Sequence, residues 1–472
     1  MIELSVNEVA NAVRGTITPG SRGESHVVGD CQIDSRKVRP GDLFIAIRGE
    51  NHDGHDHIAA ALAAGAVVAI SEVDGEGARI VVTDTVAALG DLAQHVLATH
   101  GDVTVLAVTG SSGKTSTKDI LGQILESAGS TVWPEGSFNN ELGLPLTVLR
   151  IDAQTRYLVL EMGARGQGHI AALCTIAPPD IGLVLNVGSA HVGEFGTKER
   201  TAIAKGELIE ALSVDGTAVL NSDDQYVAAM AARTRAPVRT FGSGTDAAVQ
   251  VMDVLLDELA RPTVTLRIDS EVRTIKLLLH GEHQAINAAA AAAAATAAGV
   301  PTSAVFEALA HVHPQSRWRM EVTETADSTT VVNDAYNANP ESMTAALRAL
   351  VAMGRKKTTW AVLGEMRELG DDSILAHDDI GRQAVRLGVD HLIGVGAATR
   401  PMVLGAASEG YYGGEAHFSP DIADARDYLS KHVSAGDVVF GKASRAGGLE
   451  VLAADVIAGH GGPLDESTGG ST

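Results

Sequence analysis

Cysteine is nearly absent: of 472 residues, only Cys31 and Cys174 carry a thiol. Two thiols exclude a disulfide framework or a cysteine-based metal site, and they suit a reducing compartment. Aromatic residues are scarce at 3%, although 45% of the chain is hydrophobic. Much of that fraction is alanine, which favours helices packed closely on sheets over a core of large rings. Basic residues are outnumbered, 36 against 59 acidic ones, for a net charge of -23. A field of that sign repels phosphodiester backbones, so general nucleic-acid binding is not expected. An anionic nucleotide could bind only where backbone amides and a few lysines outweigh that field locally. The start, Met1-Ile2-Glu3-Leu4-Ser5, has no basic segment leading into an apolar one, so no signal peptide is expected. The longest apolar run, 285–300, is mostly alanine, contains Asn287 and falls short of the ~20 residues a membrane span needs. The expectation is a soluble, cytoplasmic monomer with no membrane insertion.

What the chain does contain is an α/β rhythm, long enough for about three domains of ~150 residues. Residues 1–100 alternate short strands (43–47, 67–70) with helices (57–64, 86–100). In 101–312 the unit becomes strand, glycine turn, helix, with apolar strands at 105–108, 157–160, 181–187 and 217–220. Continuous apolar strands suit a mostly parallel sheet covered by helices on both faces. Three strand-like stretches in 248–279 predict an antiparallel meander at its edge, and helices 284–298 and 303–310 close the segment. A third, Rossmann-like α/β unit spans 313–458, with strands at 329–332, 359–363, 391–395 and 437–440. The stretch 459–472 is rich in glycine, serine and acid and is expected to be disordered.

The strongest local signal is Val105-Leu106-Ala107-Val108-Thr109-Gly110-Ser111-Ser112-Gly113-Lys114-Thr115-Ser116. A buried strand enters a glycine turn, and a helix follows with Ile120, Leu121, Ile124 and Leu125 on one face. Gly110 and Gly113 let the backbone turn its amides inward, beside a helix N-terminus, as an anion cradle. In such a loop Lys114 reaches the β- and γ-phosphates of ATP, and the Thr115 hydroxyl ligates magnesium. The standard pattern has a further glycine where this chain has Val108, so the loop is a variant.

Ligands of an open parallel sheet sit beyond the carboxyl ends of its strands. The strand at 157–160 ends in Glu161-Met162-Gly163, and 181–187 runs into Gly188-Ser189-Ala190-His191. A glutamate or histidine after a strand is usually just a loop residue. Beside a phosphate loop, Thr115, Glu161 and His191 form a plausible magnesium shell. Lys205, between Ala204 and Gly206 in a helix predicted over 201–212, reads by itself as an exposed helix lysine.

With these residues laid out, the chain resembles the Mur ligase family over residues 1 to about 458. Asp34-Ser35-Arg36, Pro40-Gly41-Asp42 and Asp53-Gly54-His55 look like its UDP-sugar module, which assigns Ser35 and Arg36 to substrate. Thr109 to Thr115 is similar to its ATP loop, and Phe138-Asn139-Asn140-Glu141-Leu142-Gly143 to its substrate-side segment. Asn333-Asp334-Ala335-Tyr336-Asn337-Ala338-Asn339-Pro340 and Leu363-Gly364-Glu365-Met366-Arg367-Glu368-Leu369-Gly370, followed by His377, are similar to the member adding D-alanyl-D-alanine.

The resemblance implies an ATP-dependent ligase joining D-alanyl-D-alanine to a UDP-N-acetylmuramoyl-tripeptide through an acyl phosphate. It implies a carbamylated Lys205 and two magnesium ions held with Thr115, Glu161 and His191. Asn287, Arg319 and Asp334 are then expected at adenine, phosphate and ribose, and Asn139, Asn140, Asn337 and Asn339 around the acceptor and dipeptide. Turn chemistry is the competing role for those four asparagines. The chain departs from the family at Gln284, where asparagine is usual, at Trp318 before Arg319, where glycine is usual, and at Ala443. A sister ligase or a folate polyglutamate synthase shares the ATP chemistry. An ATP-sensing regulator would have no use for Glu161, His191 and Lys205 together.

Overall fold

The computed structural model describes residues 1–49, 51–188 and 196–464. Its strands form three main sheets, each built from one stretch of chain. The first has the order Thr16–Ile17, Arg79–Val81, Val68–Ser71, Leu43–Ile45, Cys31–Gln32, antiparallel only at its first pair. A separate two-stranded pair joins Leu4–Ser5 to His26–Val27.

The central sheet has nine strands. Its middle is Thr104–Thr109, flanked in parallel by Tyr157–Glu161 and Ile181–Val184. Each has an apolar, buried centre, as the runs of valine and leucine require. Thr217–Asn221, Val238–Gly242 and Val249–Leu256 continue the sheet in parallel, and Pro262–Ile268 and Glu271–Lys276 turn it antiparallel, as the predicted meander. Val238–Gly242 is a strand that sequence reading passed over. Helix Gln284–Ala297 packs beneath the sheet against helix Lys114–Glu126 in one core. Its alanines, buried from 288 to 295, leave no side chain longer than a methyl to hold the backbones apart.

The third sheet has the order Glu321–Glu324, Thr330–Asn333, Val438–Lys442, Thr359–Leu363, His391–Val395, Ala416–Ser419, parallel apart from its first pair. Within the stretch expected to be disordered, the described residues 460–464 make specific contacts. His460 Nδ1 meets Asp327 Oδ2 at 2.7 Å, and Leu464 N–H donates to Glu324 O at 2.7 Å. The rest of that stretch, 465–472, lies outside the described residues.

The first and central domains share a core. Helix Thr85–Thr99 buries Leu89, Leu92 and Val96 against Leu144 and Val148 of helix Gly143–Val148 and against helix His169–Ile176. No described helix is long and apolar enough to cross a membrane.

Candidate active site

The two strands beside the phosphate-loop strand end level with it: Glu161 pairs with Val108, and Val184 with Thr109. That register brings Glu161 to the loop. Thr115 Oγ1 donates to Glu161 Oε2 at 2.9 Å, and Ser137 Oγ (2.7 Å) and Asn139 Nδ2 (2.8 Å) donate to Glu161 Oε1. Burial alone would raise the Glu161 carboxyl. The Lys114 charge, these hydrogen bonds and Arg319 outweigh it and hold the group below its usual range, so it is ionised.

Two glycines shape the loop for definite reasons. Gly113 has φ +80, a left-handed turn, and a Cβ there would stand 2.7 Å from Asn287 Oδ1. At Gly110 a Cβ would meet Leu185 Cβ at 2.9 Å. Lys114 Nζ donates to Gly110 O at 2.8 Å, and desolvation depresses its pKa, with Arg319 adding to the effect and Glu161 and Glu368 opposing it.

Asn186 is a functional residue that sequence reading missed. Its Oδ1 accepts from Ser111 N–H (3.0 Å) and Ser112 N–H (2.9 Å), and its Nδ2 donates to Ser112 O (3.2 Å). The amide therefore clamps the loop from the neighbouring strand. The available signal was an amide side chain just past an apolar strand beside the loop strand. Asn186→Ala strands two loop donors and is expected to cost about 1–3 kcal/mol of stability, measured by thermal denaturation. Asn186→Asp keeps the acceptor and should lose less.

Lys205 departs most from its local sequence reading. It is not exposed: its relative accessibility is 2%, in helix Lys198–Glu210. Desolvation first, and then Lys114, push its pKa well below the usual lysine range. With Lys114 and Asn139 it lines a cavity of about 490 Å³, to which Glu368 contributes from the third domain. His191, expected in the same shell, lies outside the described residues.

Arg319 reaches the loop from the third domain, donating through Nη2 to Thr115 Oγ1 at 3.2 Å. Its guanidinium lies 4.2 Å over the Tyr336 ring. Trp318 keeps the left-handed backbone (φ +56) that a glycine would adopt freely, and Met320 follows at φ +51. The Trp318 ring is covered by Arg445 at 4.1 Å. Ser116 and Gln284 line a small cleft with Asp119, Gln123, His280 and Arg319. Asn287, expected at adenine, sits against Gly113 and donates to Gln284 Oε1 at 3.0 Å.

Several expected ligand groups are engaged within the fold. Asp334 Oδ2 is held by Lys442 Nζ at 2.6 Å, and its Oδ1 accepts from Met320 N–H at 3.1 Å, so this carboxylate braces the linker carrying Arg319. Asn339 is the N-cap of helix Pro340–Met353, and Asn337 Oδ1 accepts from Ala338 N–H. Asn140 Oδ1 accepts from Gly143 N–H at 2.9 Å, at the start of helix Gly143–Val148. All three make the local bonds of turn chemistry, and Asn140 also lines the cavity that holds Lys114 and Lys205. Arg36 points to solvent, 88% exposed, in a two-bond fork with Asp34 whose carboxyl it holds down to about 2. Ser35 and Arg36 do not line the neighbouring cavity of about 670 Å³; Asp34 and Lys37 do. That cavity lies between the first and central domains, and it shares Asn139, Asn140 and Arg165 with the one at Lys114 and Lys205.

The comparisons follow the same three-part layout. Family models described as the Mur ligase family catalytic domain, the Mur ligase middle domain and the Mur ligase glutamate ligase domain match residues 28–96, 108–295 and 318–445. The UDP-N-acetylmuramoyl-tripeptide–D-alanyl-D-alanine ligase of Mycobacterium bovis is 44% identical, over 97% of this chain and 98% of its own. A crystal structure of MurF from Acinetobacter baumannii superposes with a TM-score of 0.87 at 30% identity, over 97% of this chain and 99% of that one. The structure of a MurF ligase from Thermotoga maritima in complex with ADP gives 0.78 at 31%, over 90% and 96%. Similarity that runs through all three domains, almost end to end in both partners, makes this chain a member of the Mur ligase family.

Proposed function

We propose that this chain is an ATP-dependent ligase that joins D-alanyl-D-alanine to a UDP-N-acetylmuramoyl-tripeptide, in the cytoplasmic synthesis of peptidoglycan precursor. The observation that carries the reading is the pair of adjoining cavities. A long substrate with a nucleotide at one end and a peptide carboxylate at the other needs a continuous path. The first cavity, with Lys37, Arg150 and Arg165 among its lining, suits a UDP-sugar. Through Asn139, Asn140 and Arg165 it adjoins the second, where Lys114 and Lys205 stand. The 44% identity to a ligase of that name supports the same substrates.

ATP lies along the phosphate loop, its base in the cleft lined by Ser116 and Gln284. The loop amides, held in shape by Asn186, and the helix N-terminus cradle the phosphates. Lys114 exchanges its bond to Gly110 O for phosphate oxygens, and Arg319 adds a second cation over the γ-phosphoryl. Thr115 Oγ1 and Glu161 Oε2 lie 2.9 Å apart, about the separation of neighbouring oxygens around a cation with 2.0–2.1 Å bonds. These two are hard donors of the right kind for magnesium, which when bound neutralises charge on the transferring phosphoryl. Burial makes the Lys205 amine easier to deprotonate, and the neutral amine can combine with CO2 to a carbamate that would supply a further oxygen donor. The tripeptide carboxylate attacks the γ-phosphorus, the bond to the β,γ-bridging oxygen breaks and ADP leaves, and the D-alanyl-D-alanine amine then displaces phosphate from the acyl phosphate. The three domains close over the site to keep water from the acyl phosphate. The enzyme acts as a monomer.

The test is phosphate release with UDP-muramoyl tripeptide and a panel of amines. Release that depends on both the tripeptide and D-alanyl-D-alanine is expected. ATP binding without release dependent on either would leave only a nucleotide-binding regulator.

A further inference from the structure

The acceptor arrives as an ammonium, yet the cations Lys114 and Arg165 line the cavity where it must attack. From the third domain, Glu368 lines the same cavity and acts electrostatically on Lys114. Its backbone is left-handed, φ +64, a conformation that crowds a residue bearing a Cβ and so carries a backbone cost. Specific bonds hold its loop in that shape. Met366 N–H donates to Nε2 of the fully buried His377 at 3.0 Å, and His377 Nδ1 donates to Ser373 O at 2.7 Å. Arg367 N–H donates to Ser444 Oγ at 3.1 Å, and Ser444 N–H to Glu365 O at 3.0 Å. Glu141 also lines the cavity, but with no such backbone cost. Strain kept in place by surrounding bonds marks a residue whose position matters.

We propose that Glu368 receives the acceptor ammonium and takes its proton, as the general base of amide formation. The assignment rests on the ligation reading above. Nitrogen enters with three hydrogens and leaves as an amide with one. One proton passes to the Glu368 carboxylate and on to solvent, and the freed lone pair forms the C–N bond. The tetrahedral intermediate then breaks its C–O bond to phosphate, and the departing phosphate takes the second proton.

The test uses the full-length enzyme and two acceptors, D-alanyl-D-alanine and hydroxylamine, which is largely neutral near pH 7.5 and needs no base before attack. Glu368→Gln is expected to lower D-alanyl-D-alanine ligation by about 10²–10³-fold while hydroxamate formation falls less than about fivefold. Glu368→Gly, which relieves the left-handed strain, should fold at least as well and show the same split. Equal losses with both acceptors, or near-normal ligation by either variant, would overturn the assignment. Absence of both products from the unaltered enzyme would overturn the ligation reading, and this assignment with it.

Discussion

Lys114→Ala is expected to lower tripeptide-dependent phosphate release by at least ~10³-fold, the loss of a positioned cation in a water-poor site. The alanine removes the group that neutralises charge on the transferring phosphoryl. It also removes the main positive charge that holds the buried Glu161 ionised. The fold should survive, because among the described residues Lys114 Nζ makes one hydrogen bond, to Gly110 O. Thermal denaturation near the parent Tm, together with lost release, is the expected pair of results. Unchanged turnover would remove the phosphate-loop assignment.

Lys205→Ala is expected to lower turnover by about 10²–10³-fold, with partial recovery when a short carboxylic acid such as acetate is supplied. The reasoning starts from burial. A lysine at 2% accessibility, facing the charge of Lys114, releases its proton far more readily than an exposed one. Only the neutral amine combines with CO2, so the carbamate, and activity with it, should fall as pH drops through the depressed pKa of Lys205. Rescue by a free carboxylate and sensitivity to removal of CO2 are the two readouts. Failure of rescue would argue against the carbamate and leave the ligase intact.

How legible the site was depended on how local its causes are. The phosphate loop is a local object: Gly113 must be left-handed, Lys114 and Thr115 follow it, and the buried strand precedes it. Glu161 was legible because a parallel sheet puts strand ends together, and its register with Val108 does so. Lys205 was not legible from its own helix, because burial depends on what packs against that helix, namely helix His169–Ile176 and strands Ile181–Val184 and Thr104–Thr109. The asparagines show the opposite difficulty. Asn140 and Asn339 stand at helix starts, where an amide has local work to do whether or not it also meets substrate. Family motifs in the first domain are similarly structural: Asp53 caps the turn Gly54–His57, and His55 Nε2 accepts from Glu72 N–H at 3.0 Å. Asn186 was passed over because a strand-end asparagine has no signature without its partner loop. At 318 the missing glycine was visible in the sequence, and the structure keeps the conformation that a glycine would serve. The tryptophan ring instead packs against Arg445.

The account stands on one continuous path, from a nucleotide-sugar cavity to a phosphate loop in which a peptide carboxylate is activated for an incoming dipeptide. Mass spectrometry of the product, with D-alanyl-D-alanine and single amino acids offered in competition, tests it most directly. A nucleotide-linked pentapeptide, heavier than the tripeptide by one D-alanyl-D-alanine less water, is the predicted species. A product extended by one amino acid, or an unaltered tripeptide with ATP consumed, would contradict it.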